Sequence, residues 1–408
     1  MRRTWSMRCK TCKAGRMLAK ALSIILLASC TINTNEIKTI NSGSTVYRGQ
    51  THDGKREGLG VLSQGDSVLY SGMWHNGMRQ GRGTVRDHEG RLIDGVWDHD
   101  TLVTATRRDS AGIYDGEMDD EFRANGYGKC TDSLNTYYEG QWKDGERTGF
   151  GFSSQHRYFR VGEWLHDVYK GERLHYTSER VYGIDLSKYQ HIHGKKLHTI
   201  DWDRLRITHL GSLSKKNVSG DIDFKVSFIF IKSTEGASLM NPYYNADYAA
   251  ARKRGYPVGT YHYFTHRTSG AQQAWYFLSH SHFKKGDLPP VLDLEPLPSQ
   301  VKKMGGAANM WSRVRNWLQI VEKKTGMRPI LYVSQTFVNR WLDAAPDIKR
   351  DYPVWIARYG DYKPDVKLWI WQLAPDGKVR GIAGHTDINV FNGYRNEFKH
   401  WLSTVSKK

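Results

Sequence analysis

The chain has 408 residues, of which 39% are hydrophobic and 12% aromatic, and its formal net charge is +18. This length and composition predict two or three globular domains with a sizeable core, and they exclude a disordered or low-complexity chain. The positive charge favours contact with anionic polymers or lipid surfaces but identifies no partner by itself.

The N-terminal segment has the pattern of an export signal. Seven Lys and Arg side chains precede a short apolar run, residues 21–28, which cannot span a bilayer. The sequence Leu-Ala-Ser-Cys at 27–30 resembles the lipobox of bacterial lipoproteins. The resemblance implies removal of residues 1–29, lipidation of Cys30, export to the cell envelope and anchoring to a bacterial membrane through the lipid. Ordinary cleavage near Ser29 and an uncleaved anchor are the alternatives.

Cleavage at this point would leave a basic protein with a single free cysteine. It removes seven basic and no acidic side chains from the charge of +18, which leaves +11. Cys9 and Cys12 would be lost and Cys30 would carry lipid, so only Cys130 remains and no disulfide or cysteine metal site is predicted. Export also argues against nucleic acid as a partner.

A short pattern then repeats every 21 to 24 residues. The fullest copies, residues 70–85 and 138–153, each contain Tyr-x-Gly, a Trp, an Asn-Gly or Asp-Gly pair and a Gly-x-Gly. Such pairs supply the positive φ angles of tight hairpin turns, so each unit is predicted to be a β-hairpin. The six copies begin at Tyr47, Tyr70, Ile93, Tyr114, Tyr138 and Arg160.

These units resemble MORN repeats, whose pattern is YxGxWxxGxxxGxG, over about residues 47–176. The resemblance implies an all-β hairpin solenoid with a narrow core of Tyr and Trp rings, in which glycines allow close backbone approach. It also implies a possible protein or lipid partner, against the alternative that the aromatic side chains only form a core. The predicted divisions are a signal peptide at 1–29, a linker at 30–46, the repeats at 47–178 and a second domain at 179–408.

The second domain alternates apolar strand-like segments with helical patterns. Helices are predicted at 245–255, 270–280 and 308–326, and the gaps after residue 357 are short and polar. This order predicts an α/β fold, a TIM-like (β/α) barrel with eight strands and fewer helices. The eight strand-like segments are residues 181–186, 228–232, 258–264, 290–295, 329–333, 353–357, 368–373 and 387–391.

Acidic side chains occur in three of these predicted strands. Asp185 lies in the first, Asp293 and Glu295 in the fourth, and Asp387 in the last. Catalytic groups of such barrels lie at the C-terminal ends of the strands, so four carboxyl groups are expected to converge on one mouth. For any single acid, a salt bridge or a capping role is the alternative.

Several segments resemble, in the same order, those of glycoside hydrolase family 25, the lysozymes of the N-acetylmuramidase type. They are GIDLSKYQ, FIFIKSTEG, PPVLDLE, the pair Trp371-Gln372 and TDINVFNG, and the resemblance covers residues 181–402. It implies hydrolysis of the β-1,4 bond between N-acetylmuramic acid and N-acetylglucosamine in peptidoglycan, without a cofactor.

The chemistry of this reaction requires a carboxyl group that supplies a proton to the leaving oxygen while other carboxylates stay anionic. Clustered acids in an apolar barrel raise the proton affinity of one of them. The family's Asp-x-Glu motif falls on Asp293 and Glu295, which implies that Glu295 is the general acid. Asp293, Asp185 and Asp387 then hold charge or hydrogen-bond the reacting sugar.

Aromatic and amide side chains near these acids are candidate sugar contacts. Tyr261 and Tyr263 share one face of their predicted strand, and the pair Trp371 and Gln372 is matched in the family. The histidines lack the spacing of a zinc site, so no metal is predicted. Two other functions stay open: a glycan-binding or scaffold protein without hydrolysis, and a hydrolase of another polysaccharide. The long segment at 203–227 is compatible with the second because it would reshape one rim of the groove.

Overall fold

The computed structural model describes residues 36–155, 158–171, 175–193, 195–212, 217–218, 220–357 and 366–406. The predicted signal segment and Cys30 lie outside these residues. Within the described ranges, no helix has both the length and the apolar composition needed to cross a membrane.

The repeats form one antiparallel sheet of 13 strands in which each strand pairs with the next along the chain. The sheet begins at Glu36, inside the segment predicted as a linker, because residues 36–42 pair with 45–51 although they carry no Tyr-x-Gly pattern. The strands are β1 Glu36–Ser42, β2 Thr45–His52, β3 Lys55–Gln64, β4 Ser67–His75, β5 Met78–Arg86, β6 Leu92–Asp98, β7 Thr101–Asp109, β8 Gly112–Met118, β9 Ala124–Asp132, β10 Tyr137–Lys143, β11 Glu146–Gln155, β12 Tyr158–Leu165 and β13 Val168–Gly171.

Aromatic rings fill the core of this sheet, as the repeat pattern predicts. Tyr70 packs edge-on against Trp74 and Trp97, with ring centroids 5.1 and 5.6 Å apart. A Cβ atom on Gly83 would lie 2.2 Å from the Tyr70 hydroxyl, so only glycine lets the ring lie across the neighbouring strand. Asn76 adopts a φ of +52°, as the predicted Asn-Gly turn requires.

The second domain is a closed barrel of eight strands with few helices, and the predicted fold class is confirmed. The barrel strands are β15 Arg180–Leu186, β20 Phe224–Glu235, β22 Val258–Tyr263, β23 Val291–Asp293, β24 Ile330–Ser334, β25 Val354–Ala357, β26 Leu368–Arg380 and β27 Thr386–Tyr394. They correspond to the eight predicted segments. Neighbours from β15 to β26 run parallel, whereas β27 runs antiparallel to both β26 and β15 and closes the barrel.

Helices cover the outside of the barrel. They are α1 Tyr244–Lys253, α2 Gly270–His280, α3 Pro298–Lys303, α4 Ala307–Thr325, α5 Gln335–Trp341, α6 Pro346–Asp351 and α7 Arg395–Val405. The predicted α1, α2 and α4 are present, and α4 ends at Gly326 in the left-handed conformation. The short strands are β14 His175–Tyr176, β16 Ile192–His193, β17 Lys196–Leu197, β18 Arg206–His209, β19 Asn217–Val218 and β21 Leu239–Met240, and 3₁₀ turns span Lys188–Gln190, Trp202–Arg204 and Leu342–Ala344.

The repeat sheet packs against one end of the barrel. Phe150 of β11 donates its backbone N–H to Asn392 Oδ1 at 2.8 Å, and Gln141 Nε2 donates to the carbonyl of Leu368 at 3.1 Å. Leu368 begins β26 and Asn392 lies near the end of the antiparallel β27, so both lie at the end of the barrel opposite the C-terminal ends of the parallel strands.

A buried ion pair joins the two parts at the same end. Glu163 of β12 pairs with Arg180, the first residue of β15, and also accepts a hydrogen bond from the Tyr394 hydroxyl. Both charged side chains are at most 3% exposed. The guanidinium of Arg180 also lies 4.7 Å from the centroid of the Tyr394 ring. Charge pairing, hydrogen bonding and ring contact therefore tie the last part of the repeat sheet to the first and last barrel strands.

Candidate active site

The four predicted acids lie at one mouth of the barrel, but they reach it by different routes. Asp293 ends β23, Asp185 is the penultimate residue of β15, and Glu295 follows two residues after the end of β23. Asp387, in contrast, does not lie at the C-terminal end of its strand, because it is the second residue of β27. Because β27 runs antiparallel, its first residues lie at the mouth, where Asp387 is directly opposite Asp185.

These acids surround a cavity of about 260 Å³. Two of the predicted sugar contacts, Tyr261 and Gln372, line it as well, whereas Tyr263 lines two adjoining clefts. No described residue of the long segment 203–227 lines this cavity. The lining residues are Asp185, Ser187, Tyr189, Lys232, Tyr261, Val291, Asp293, Glu295, Tyr332, Trp355, Gln372, Pro375 and Asp387.

Trp371, in contrast, lies away from the cavity. It is only 3% exposed and packs edge-on against Phe150 of the repeat sheet, with ring centroids 4.9 Å apart. Consecutive residues of a strand point to opposite faces, so Trp371 faces outward where Gln372 faces the cavity. Its position gives no support to the predicted sugar contact.

A hydrogen-bond network that the sequence did not reveal fixes Asp185. Asn389 Nδ2 donates to Asp185 Oδ2 at 2.9 Å, and Trp355 Nε1 donates to Asn389 Oδ1 at 2.9 Å. On the other side, the Tyr332 hydroxyl donates to Gln372 Oε1 at 3.0 Å, and Gln372 Nε2 lies 3.4 Å from Asp185 Oδ2. Asn389 and Asp387 are two residues apart and share one face of their strand, and only this spacing could have indicated the position of Asn389.

Asp185 and Asp387 share a hydrogen bond and one proton. Burial raises the pKa of Asp185, while the donated hydrogen bonds lower it. Burial, together with the nearby charge of Asp185, raises the pKa of Asp387 to about 10. We therefore assign the proton to Asp387, which donates it to the Asp185 carboxylate.

Replacing Asp387 by Asn should change how stability depends on pH. Between an unfolded pKa of about 3.9 and the raised folded value, the folded chain holds a proton at Asp387 that the unfolded chain has lost, so the free energy of unfolding of the wild type falls as pH rises. An amide has no such proton to lose and can still donate to Asp185. Relative to wild type, Asp387→Asn should thus gain thermal stability from about pH 5 to about pH 9.

Thermal midpoints of both proteins over this range test the prediction. Asp66→Asn, at an exposed turn of the repeat sheet, is the matched control. Its thermal midpoint should change with pH in the same way as that of the wild type. If the thermal midpoint of Asp387→Asn also changed with pH as that of the wild type does, Asp387 would not keep its proton in the folded chain.

Asp293 is the most isolated acid of the cavity. It is 8% exposed, and its Oδ1 atom has no hydrogen-bond partner within the described part of the chain. Burial and the charge of Glu295 raise the pKa of Asp293 well above its usual value, while the ammonium group of Lys232 lowers it. Glu295, in contrast, is solvent-exposed at the edge of the cavity. The two acids of the motif therefore lie in different environments, one buried and one exposed to solvent.

Lys232 holds its place at the cavity through two contacts. Its Nζ atom lies 2.8 Å from Glu235 Oε2 and 4.7 Å from the centroid of the Tyr263 ring. The histidine nearest in sequence to these tyrosines, His262, is buried between Thr234 and Gln273. Across the described ranges, no group of three or more His, Cys, Asp or Glu side chains is arranged to hold a metal ion.

Comparison with known proteins identifies both parts of the chain. Residues 184–382 match the glycosyl hydrolases family 25, and residues 47–67, 70–87 and 138–153 match the MORN repeat. The uncharacterized protein YegX of Escherichia coli (strain K12) is 34% identical over 234 residues, which cover 57% of this chain and 76% of YegX.

Two lysozymes are also similar to this chain. Lysozyme M1 of Streptomyces globisporus is 30% identical over 181 residues, which cover 41% of this chain and 60% of that lysozyme. The crystal structure of a lysozyme from Streptomyces coelicolor is 26% identical, with a TM-score of 0.44, and the match covers 55% of this chain and 97% of the lysozyme. The chain thus belongs to glycosyl hydrolases family 25 and carries MORN repeats ahead of that domain.

Proposed function

We propose that this protein is a lysozyme that hydrolyses the β-1,4 bond between N-acetylmuramic acid and N-acetylglucosamine in peptidoglycan, with Glu295 as the general acid. The observation that carries the proposal is the convergence of four carboxyl groups on one cavity in which a buried oxygen of Asp293 lacks a partner. The names of the relatives, lysozyme and N,O-diacetylmuramidase, support peptidoglycan as the substrate.

The positions of Glu295 and Asp293 suit two different tasks. Glu295 lies at the open edge of the cavity, where an incoming sugar can cover its carboxyl group and favour the neutral form. Its proton passes to the glycosidic oxygen as the bond from that oxygen to C1 breaks; water then adds to C1 and gives up a proton that returns to the Glu295 carboxylate. Positive charge that develops at C1 favours the anionic form of Asp293, whose unpartnered oxygen is free to bind the reacting sugar.

The remaining groups position these two acids and the sugar. Asp185 is held by Asn389 and Gln372, and Asp387 shares its proton with Asp185, so this pair carries a single negative charge in a fixed place. Tyr261 and Gln372 line the cavity and would contact the sugar bound there. The cavity thus combines a proton that Glu295 can transfer with a negative charge that the pair of Asp185 and Asp387 holds in a fixed place.

Peptidoglycan as the substrate requires export, which agrees with the predicted signal segment and with lipidation of Cys30. The basic charge of the chain favours the anionic cell wall. The repeat sheet then connects the anchor to the barrel, and a protein or lipid partner for it stays a prediction.

Digestion of purified peptidoglycan tests the proposal. The products are reduced with borohydride, and the new reducing ends are identified by mass spectrometry. Reduced muramic acid ends would establish the proposed bond, whereas reduced glucosamine ends would show that the other bond is cut. If folded protein produced no new ends but bound peptidoglycan, the non-hydrolytic function would replace this one, and cleavage of a different glycan would identify another polysaccharide as the substrate.

A further inference from the structure

A second cleft opens from the catalytic cavity at Glu295. It has a volume of about 480 Å³ and lies between the loop after β23 and helix α5. Glu295 lines both the cavity and this cleft, so a molecule bound in one can extend into the other. We call it the Arg340 cleft and define it by Glu295, Leu297, Phe337, Arg340 and Trp341.

The walls of the Arg340 cleft combine apolar side chains with polar ones such as Ser334 and Thr336. Leu297 is 61% exposed at the edge of the cleft, although the burial of a leucine side chain is favourable. Phe337 and the half-buried Trp341 add aromatic surface, and prolines flank Leu297 in the loop. These apolar side chains offer contact to short aliphatic groups.

The cleft also contains one cation, the exposed side chain of Arg340. The guanidinium of Arg340 lies 5.7 Å from the centroid of the Trp341 ring. It forms no ion pair or side-chain hydrogen bond with any residue in the described ranges, although many other arginines of the chain are paired with carboxylates, such as Arg315 with Asp347. A planar guanidinium held against an aromatic ring binds a carboxylate through two parallel hydrogen bonds.

We propose that the Arg340 cleft binds the peptide substituent of a muramic acid unit, with Arg340 pairing with a peptide carboxylate and the apolar side chains of Leu297 and Trp341 contacting its small aliphatic side chains. The inference rests on the proposed function, because it takes a peptidoglycan strand as the molecule in the cavity. The peptide branches from the glycan next to the bond that is cut, and the cleft branches from the cavity at Glu295. The enzyme would then select strands that still carry peptides.

A neighbouring cleft provides the internal control. It has a volume of about 340 Å³, shares Tyr263 with the Arg340 cleft and contains a single arginine, Arg267, which also has no ion pair among the described residues. Its lining is mostly polar and includes Ser238 and Thr268. Arg267→Gln therefore removes the same charge close to the catalytic cavity but outside the Arg340 cleft.

The test measures kcat/KM of the full chain on two glycan oligomers that differ only in their peptides. One carries the peptides, and the other has lost them through amidase treatment. Arg340→Gln should lower kcat/KM on the peptide-bearing oligomer roughly 10-fold to 100-fold, the loss expected for a charged hydrogen bond, and leave the peptide-free oligomer unaffected. Arg267→Gln should not discriminate between the two oligomers.

The inference would be overturned if Arg340→Gln lowered kcat/KM equally on both oligomers or had no effect on either. It would also be overturned if Arg267→Gln discriminated between the oligomers in the same way. Calorimetric titration of Glu295→Gln protein with the two oligomers separates it from the proposed function. If the wild type cuts neither oligomer, the proposed function fails. Tighter binding of the peptide-bearing oligomer that is lost with Arg340→Gln would still support peptide binding in the cleft. Equal binding of the two oligomers would overturn peptide binding in the cleft.

Discussion

Replacing Glu295 by glutamine should lower kcat by about 10²-fold to 10⁴-fold, the usual contribution of a general acid. Glutamine keeps the shape of the side chain but has no proton to give to the leaving oxygen. Because Glu295 is exposed at the edge of the cavity, the substitution should leave the fold and its thermal stability unchanged. KM should change little, since the proton is needed only as the bond breaks.

Release of reducing ends from peptidoglycan, measured beside thermal unfolding, checks this prediction. Glu322→Gln is a suitable control because Glu322 lies on the outer helix α4, does not line the cavity and pairs with Arg328 beyond the end of that helix. Its activity should match that of the wild type. If cleanly folded Glu295→Gln protein kept full activity, another group would have to supply the proton, and the buried Asp293 would be the next candidate.

Replacing Arg180 by methionine should destabilise the protein by about 3–5 kcal/mol, the usual cost of leaving one partner of a buried ion pair unpaired. Glu163 would keep the hydrogen bond from Tyr394 but lose its cation in a place that water does not reach. The double variant Arg180→Met with Glu163→Gln should recover part of the loss, because it leaves no buried charge without a partner.

Thermal and denaturant unfolding of the two single variants and the double variant form a double-mutant cycle. Additive effects would show that the pair contributes no coupling between the repeat sheet and the barrel. The folded fraction of each variant should keep its kcat, since Arg180 lies at the end of the barrel opposite the catalytic mouth.

The sequence predicts the barrel well because each of its strands contains a short run that is rich in apolar residues. Asp293 and Asp185 follow from the rule that parallel strands bring their C-terminal ends to one mouth. Asp387 reaches the mouth for a different reason, since β27 reverses direction, and no local pattern in its sequence states the direction of a strand.

Side chains that depend on distant partners could not be predicted. Tyr332 and Asn389 acquire their roles only through Gln372 and Asp185, which come from other strands. Trp371 has an aromatic side chain suited to a sugar, but the repeat sheet covers it through Phe150, about 220 residues earlier in the chain. Neither the burial nor the pairing of such residues can be deduced from their neighbours in sequence.

The position at which the sheet contacts the barrel would determine the distance between a membrane anchor and the catalytic cavity. Within the described ranges, the interactions with the barrel domain come from strands β6 to β12, through residues such as Asp98, Glu117 and Phe150, so five strands extend beyond them towards the N-terminus. At about 4.8 Å per strand they form a spacer of roughly 24 Å. With the predicted lipid at Cys30, only six residues before β1, this spacer would hold the barrel clear of the bilayer and restrict cutting to strands at that height.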